Sequence, residues 1–321
     1  MRWIGILVGL ALLLSPGARA QESCPARPAR IVVAFPPGGS VDILARLVGQ
    51  ELTRRLGQTF TVDNLSGAGG LVGTEFVAKA PADGLTLLMA GAGPIVTVPA
   101  LTSSMPFDPA RDLTPITLVA LQPNLLVVAP GLPVTSVREL IAYGLARPGG
   151  LSYASAGIGS SQHLAAEIFA LRTGVAMTHV PYRGGASGLS DVMAGQVQVM
   201  FDTIPTALQA ARGGQVRALA VTTLSRSPAM RDLPTVAEAG LPGYESRAWL
   251  GLLGPGGLPS GIVALLDRQL REIVEMPEIS TRLLDLGLKI VPSTPVSFRA
   301  FIARELETNR ATVAAARITL N

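Results

Sequence analysis

The sequence predicts an α/β fold with two lobes, each a mainly parallel sheet flanked by helices, joined by a hinge of two chain crossings. Three observations lead to this. Short apolar segments alternate with segments of helical period through most of the chain. One plan, a strand followed by a glycine loop and a helix, occurs in "IVVAFPPGGSVDILARLVGQEL" (31–52) and again in "LSYASAGIGSSQHLAAEIF" (151–169). The last third adds helices that complete no third sheet, so we expect it to return to the first lobe.

The first lobe begins with the strand "RIVVAF", followed by a helix from Ser40 to Leu56. "TFTVDN" predicts the next strand, "SGAGGLVGTEFVAKA" a glycine loop into a helix, and "LTLLMAG" a third strand. "LTPITLVA" and "NLLVVAP" follow as two further strands. The second of these is a continuous apolar run, which is typical of strands buried in a parallel sheet.

The second lobe repeats this alternation. Helices are predicted at "SVRELIAYGLARPG", "SQHLAAEIFALRTG", "GASGLSDVMAG" and "ALQAARGG", and strands at "LSYAS", "MTHVPY", "VQVMFD" and "VRALAVTT". Beyond these, Ser260 and Thr294 are suited to cap two later helices. With crossings near Pro123 and Thr222, we assign residues 21–122 plus 224–321 to lobe 1 and 123–223 to lobe 2.

The first 20 residues have the pattern of a secretory signal peptide. Arg2 precedes the apolar stretch "WIGILVGLALLL" (3–14), and Ala18–Ala20 has the Ala-x-Ala form of a cleavage site. We therefore expect a mature chain that begins near Gln21 in the periplasm. Cys24 is the only cysteine, so no intramolecular disulfide can form. Because it lies past the cleavage site, we expect an inert thiol rather than a lipid anchor.

The composition excludes some classes of protein. The chain is 48% hydrophobic and 15% charged, so it can bury a large core and is not of the disordered class. Its net charge is +4, and the positive residues are spread along the chain, with no basic run interleaved with aromatic residues. This argues against a nucleic-acid-binding surface.

The two glycine loops are the candidate ligand site. A helix N-terminus presents unpaired N–H groups and a partial positive charge, and glycine lets a ligand approach the backbone closely. Neither the phosphate-binding pattern G-x-x-x-x-G-K-[ST] nor G-x-G-x-x-G is present. A carboxylate therefore fits better than a polyphosphate, and a transferase-like phosphate site is disfavoured. We interpret Asp42, in the first helical turn, as a capping residue rather than a ligand contact.

Catalytic residues are few. The two histidines form no recognised metal motif, and no G-x-S-x-G elbow exists, so we expect no metal, no cofactor and no enzyme activity. His163 follows Ser160 and Ser161 closely, which keeps an exported Ser/His hydrolase as the alternative function. Asp202 ends the strand "VQVMFD" and either contacts a ligand or water, or caps the next turn.

The sequence resembles the Bug/TctC family, the periplasmic solute receptors of tripartite tricarboxylate transporters. The resemblance spans the mature chain and includes "RPARIVVAFPPGGSVDILAR", "YASAGIGSSQHLAAEIF" and "HVPYRGGASGLSDVMAGQVQVMFDTIPTAL". It implies a type II periplasmic binding protein fold and a monomer that closes over a small organic acid. It also implies delivery of that acid to membrane transporter subunits or a sensor kinase. The ligand-binding positions that it implies are Phe35, Gly38, Gly39, Ser40, Ser155, Gly157, Ser160, Ser161, His163 and Asp202.

The chain departs from the family pattern after the third strand. The family usually has Thr, Ser or Asn in that loop, whereas this sequence has Ala92, Pro94 and Val98. Asn64-Leu65-Ser66 also replaces the usual Asn-Arg-Pro. A more apolar wall would suit a monocarboxylate or an aromatic acid better than a tricarboxylate.

Overall fold

One long strand runs through both halves of the molecule. The computed structural model describes residues 27–102 and 104–316, so the predicted signal peptide and Cys24 lie outside the described residues. Strand β4 pairs along its first part with strands β9 and β10, and along its last residues with β7 and β8, always antiparallel. The strands are β1 Ala29–Val33, β2 Phe60–Asn64, β3 Thr86–Gly91, β4 Leu113–Val128, β5 Leu151–Ser155, β6 Met177–Pro181, β7 Val199–Thr203, β8 Arg217–Val221, β9 Arg247–Pro255 and β10 Lys289–Ile290.

The strands form one mixed arrangement in the order β2-β1-β3-β9-β4-β7-β5-β6, with β8 and β10 pairing β4 outside this path. The predicted parallel pairing holds for β2-β1-β3 and for β7-β5-β6. Strands β4 and β9 run antiparallel to the strands with which they pair. The order places β1, β3 and β9 in the first half, and β5, β6 and β7 in the second.

The prediction of two separate strands between residues 113 and 129 is wrong. "LTPITLVA" and "NLLVVAP" belong to the single strand β4, and Pro123 lies inside it. Proline cannot donate to a sheet ladder and is normally confined to edges or irregular positions. Pro123 is the last residue of β4 that pairs with β9, and the next residue, Asn124, pairs with β7. Its missing N–H group therefore falls where the strand changes partners.

The helices cover both faces of each half. In the first half, one buried cluster includes Leu44, Leu270 and Leu283 from helices α1, α8 and α9, and a cluster on the other face includes Val77 and Phe298 from α2 and α10. In the second half, α4 and α5 cover one face and α6 and α7 the other. The helices are α1 Ser40–Leu56, α2 Leu71–Ala78, α3 Val98–Leu101, α4 Val137–Ala146, α5 Ser161–Thr173, α6 Gly185–Met193, α7 Ile204–Arg212, α8 Ser260–Glu275, α9 Pro277–Asp285 and α10 Pro295–Ala316.

The chain after β8 stays packed on the second half well beyond Thr222, where the sequence predicted the second crossing. Val236 and Tyr244 are buried in the core of the second half, and the Tyr244 hydroxyl donates to the Ala165 carbonyl of α5 (2.8 Å). The chain enters β9 only at Arg247. We therefore propose that the second crossing lies near residues 245–247 rather than near Thr222. Within the described parts of the chain, no helix is both long and apolar enough to cross a membrane.

Candidate functional site

A cavity of about 190 Å³ lies between the two halves, beside strands β4 and β9. The first half contributes the glycine loop before α1, the end of β3, and parts of β4 and β9. The second half contributes the starts of the three helices α5, α6 and α7 and the loops that precede them. Six of the ten predicted ligand-binding residues line this cavity: Phe35, Gly38, Gly39, Ser40, Ser160 and Ser161.

The first glycine loop is held in shape by Asp42. The Gly38 N–H donates to Asp42 Oδ2 (2.9 Å), and Asp42 also accepts from Arg46 Nε (3.0 Å) and Asn64 Nδ2 (2.9 Å). Burial alone would raise the pKa of Asp42, but these three hydrogen bonds lower it overall. Asp42 is thus an ionised carboxylate whose charge is balanced by Arg46. Its side chain fixes the loop before α1 through Gly38, whereas the sequence interpretation was a cap of the helix itself.

Four helices begin at the cavity. The N-cap residues of α1, α5, α6 and α7 are Gly39, Ser160, Gly184 and Thr203, and all four line it. Only Ser160 caps its helix with its side chain, by accepting from the His163 N–H (3.3 Å). The N–H groups at the starts of α1, α6 and α7 have no side-chain cap. Converging N-termini create a positive potential suited to an anion.

The two histidines hold the second glycine loop through hydrogen bonds, His163 directly and His179 through Ser155. His163 Nδ1 accepts from the Gly159 N–H (3.2 Å), and its ring stacks on His179 at 4.2 Å. His179 Nε2 lies 2.6 Å from Ser155 Oγ, which in turn accepts from the Gly157 N–H (3.1 Å). Burial lowers the pKa of both histidines to about 4, and for His163 the neighbouring His179 adds to the effect. Both rings are therefore neutral near pH 7 and act as hydrogen-bonding supports.

This arrangement does not assemble a catalytic pair in the cavity. The His163 ring is engaged with Gly159 and His179, and its hydrogen bond to Ser160 comes from the backbone N–H. Nucleophilic catalysis needs a base nitrogen within hydrogen-bond reach of the hydroxyl. Among the described residues, the serine that has a ring nitrogen in reach is Ser155, which is fully buried and does not line the cavity.

Four predicted residues lie outside the cavity lining. Ser155 and His163 hydrogen-bond to the second loop, as described above. Gly157 lines a neighbouring cavity of about 660 Å³. Asp202 is 0% exposed and lies behind Gly185, with Oδ1 accepting from Gln162 Nε2 (2.9 Å) and from the Thr203 N–H (2.8 Å). Its Oδ2 atom is buried without a partner among the described residues, and burial raises the pKa of Asp202 to about 7.

Sequence reasoning missed several lining residues. Gln122 and Trp249 lie on β4 and β9, and Gln162 lies one residue past the predicted serines. Arg183 is exposed at the cavity, and no described carboxylate lies within ion-pair distance of it. The pattern "YRGGAS", a basic residue before two glycines and a helix, resembles the first loop and could have revealed the third helix N-terminus. Gln122 and Trp249 are set by strand pairing, which no local pattern indicates.

Comparison with known proteins identifies the family of this chain. The sequence profile of the "Tripartite tricarboxylate transporter family receptor" matches residues 44–317. The chain belongs to this receptor family. BugT of Bordetella pertussis is 36% identical over 305 residues, which cover 95% of this chain and 93% of that protein.

Two solved structures of the family contain organic acids. The structure of R. palustris Rpa4515 with adipate has a TM-score of 0.89 and 38% identity, covering 92% of this chain and 99% of that one. MatC from Rhodopseudomonas palustris with bound malate has a TM-score of 0.85 and 33% identity, covering 90% and 99%. The Bug/TctC resemblance seen in the sequence is thereby confirmed, as is the periplasmic binding protein fold.

Proposed function

We propose that this family member is an extracytoplasmic receptor that captures a small organic carboxylate in the cavity between its halves. The observation that carries the proposal is the convergence of four helix N-termini on one cavity. Among the described residues, Asp42 is the one carboxylate that lines this cavity, and it is already paired with Arg46. Such a site favours an anion without offering a competing negative charge. The acids bound by Rpa4515 and MatC support the same class of ligand.

The finer features of the proposal follow from the family and the fold. Residues 1–20 are removed on export, and the mature receptor acts as a monomer in the periplasm. It passes its ligand to membrane transporter subunits or presents it to a sensor kinase. The first half is lobe 1 and the second half lobe 2. The receptor leaves its ligand chemically unchanged, which is supported by the absence of a histidine nitrogen within hydrogen-bond distance of any described hydroxyl that lines the cavity.

The direct test is a thermal-shift screen followed by calorimetry. The screen covers acids with one or two carboxylates, including adipate, malate, pentanoate and benzoate. We expect at least one of them to raise the melting temperature. A ligand at 100 times its Kd stabilises the folded state by about 2.7 kcal/mol. Neutral analogues, such as the corresponding amides, should give no shift. The proposal fails if no acid binds, or if a bound acid is recovered chemically altered after long incubation.

Closure of the two halves gives a second test, based on Gly93. A Cβ atom at Gly93, in the first half, would lie 3.0 Å from the Gly159 carbonyl oxygen in the second half. Because the φ of Gly93 is not in the left-handed region, alanine fits its backbone and the clash arises only when the halves meet. Overpacking typically costs about 1–3 kcal/mol, so we expect Gly93→Ala to weaken acid binding about tenfold.

Small-angle scattering gives the structural readout for this variant. The ligand-saturated variant should keep a larger radius of gyration than the ligand-saturated wild type. Gly131→Ala is the matched control, because a Cβ there meets no atom within 4 Å and Gly131 does not line the cavity. Equal affinity and an equal radius for Gly93→Ala and the wild type would show that these two glycines do not set the closed state.

A further inference from the structure

In the side-chain amide of Gln122, the oxygen is hydrogen-bonded and the nitrogen has no partner among the described residues. Gln122 lines the cavity from β4, and its side chain is 1% exposed. Its Oε1 atom accepts a hydrogen bond from Ser40 Oγ at 2.8 Å, between two buried side chains. Its Nε2 atom is buried and has no hydrogen-bond partner among the described residues. Ser40 already engages the carbonyl oxygen, so the N–H donors of Nε2 are the unpartnered part of the amide.

This donor lies beside the proposed carboxylate site. Ser40 is the first residue of α1, whose N-terminus has no side-chain cap and faces the cavity. The hydrogen bond to Ser40 therefore places the Gln122 amide next to the N–H groups of the first turn of α1. An oxygen on the carbon adjoining a carboxylate held there would be the natural acceptor for Gln122 Nε2. A buried donor without an acceptor costs free energy, which makes this position selective.

The described residues that line the cavity leave no carboxylate unpaired for an ammonium group. Asp42 is engaged by Arg46, Asn64 and the Gly38 N–H. Asp202 is fully buried behind Gly185, and the side-chain oxygen Oε1 of Gln162 accepts from the Ala156 N–H (2.8 Å). A buried ammonium needs a carboxylate or several acceptors to compensate its lost hydration. Among the described residues that line the cavity, no carboxylate is left for this purpose.

We propose that Gln122, oriented by Ser40, makes the cavity select 2-hydroxy and 2-oxo acids over the corresponding 2-amino acids. This inference rests on the proposed function, since it assumes that a carboxylate binds at the start of α1. Gln122 is the residue that contacts the ligand oxygen. Ser40 is a positioning residue, because it acts through the Gln122 amide.

The test uses two series of acids that differ only at the second carbon. The first is adipate, 2-hydroxyadipate, 2-oxoadipate and 2-aminoadipate, and the second is succinate, malate and aspartate. For the wild type, calorimetry should show the hydroxy and oxo members binding about tenfold tighter than the unsubstituted acid, as expected for one added hydrogen bond. The amino member should bind about 100-fold more weakly than the hydroxy member.

Variants at the two residues separate their roles. Gln122→Leu should abolish the preference for the hydroxy acid over the unsubstituted acid. Gln122→Glu keeps an acceptor for Ser40 but replaces the donor by a carboxylate oxygen, so the preference should shift towards the amino acid. Ser40→Ala should reduce the preference for the hydroxy acid about threefold, and Ser40→Thr should restore it. Gln50→Glu, on the exposed face of α1, controls for the added negative charge.

The outcomes distinguish this inference from the proposed function. If acids bind but the wild type binds the amino acid as tightly as the hydroxy acid, or more tightly, the assignment of Gln122 is wrong and the receptor function stands. The same holds if Gln122→Leu folds, binds acids and keeps the wild-type order. If no acid of either series or of the wider screen binds, the proposed function fails and this inference fails with it.

Discussion

Gly39→Val is expected to weaken binding of every acid by about 100-fold or more while the protein remains folded. Gly39 is the N-cap of α1 and lines the cavity, and its φ of −80° is accessible to any residue. A Cβ atom at this position meets no protein atom within 4 Å. The added side chain therefore extends into the space where the ligand carboxylate would lie, and it separates the carboxylate from the N–H groups of the first turn.

The loss combines two effects that can be separated by measurement. Each hydrogen bond to a charged group contributes about 1.5–3 kcal/mol, and the displaced carboxylate loses more than one of them. Valine is also a poor N-cap, which should lower the free energy of unfolding by about 1 kcal/mol. Gly131→Val, in open space away from the cavity, is the matched control. A folded Gly39→Val protein with wild-type affinity would place the ligand elsewhere.

Gly157→Val is not an equivalent test in the second half. Gly157 has a φ of +119°, which L residues rarely adopt, and its Cβ would lie 3.2 Å from the Tyr182 carbonyl oxygen. Valine there would strain the second loop itself, so any loss of binding would not report on contact with the ligand. The sequence pattern cannot separate Gly39, which keeps a space open, from Gly157, which permits a backbone turn.

Asp202→Asn is expected to change how stability depends on pH. The pKa of Asp202 is 3.8 in the absence of burial and about 7 in the folded protein. Between these values the folded state keeps a proton that the unfolded state releases, so the free energy of unfolding falls as the pH rises. At about 1.4 kcal/mol per pH unit, the fall across this window is about 4 kcal/mol for this residue.

The measurement is the difference between the variant and the wild type in urea unfolding from pH 4 to pH 8, without ligand. Asparagine does not titrate, so the free energy of unfolding of the variant minus that of the wild type should rise by about 4 kcal/mol over this range. The two buried histidines titrate in both proteins and cancel in the difference. Asp232→Asn, at an exposed carboxylate, controls for loss of one negative charge. A difference that stays constant with pH contradicts the prediction.

The sequence predicted the elements of the fold well because their signals are local. The helix from Ser40 to Leu56 has the predicted bounds, with Gly57 ending it in the left-handed conformation. The strands around Ile31 and Tyr153 and the glycine loops after them are also where the apolar pattern placed them. The continuity of β4 through Pro123 was missed because strand pairing over 130 residues of sequence, rather than the local pattern, keeps that segment extended.

The candidate site was predicted only in part for a similar reason. Residues next to a glycine loop, such as Gly39 and Ser160, could be located from the strand–loop–helix pattern. Gln122 could not, because its position depends on the pairing of β4 with β9 and on a hydrogen bond to Ser40, 82 residues away in sequence. Ser155 and His163 were predicted to bind the ligand, but their side chains bond to the backbone of the second loop and do not line the cavity, which the pattern does not show.

The passage of β4 through both halves also bears on how the chain folds. Most of the second half is one contiguous stretch, from β4 to β8, and its parallel core can form as soon as that stretch is available. The first half cannot complete its sheet so early, because the open edge of β3 is covered by β9, which follows it by more than 150 residues. Pairings of such long sequence separation form slowly and leave strand edges open to wrong partners. We therefore expect the second half to assemble first. Until the C-terminal part of the chain is available, the N-terminal strands are the segment that most needs protection from aggregation.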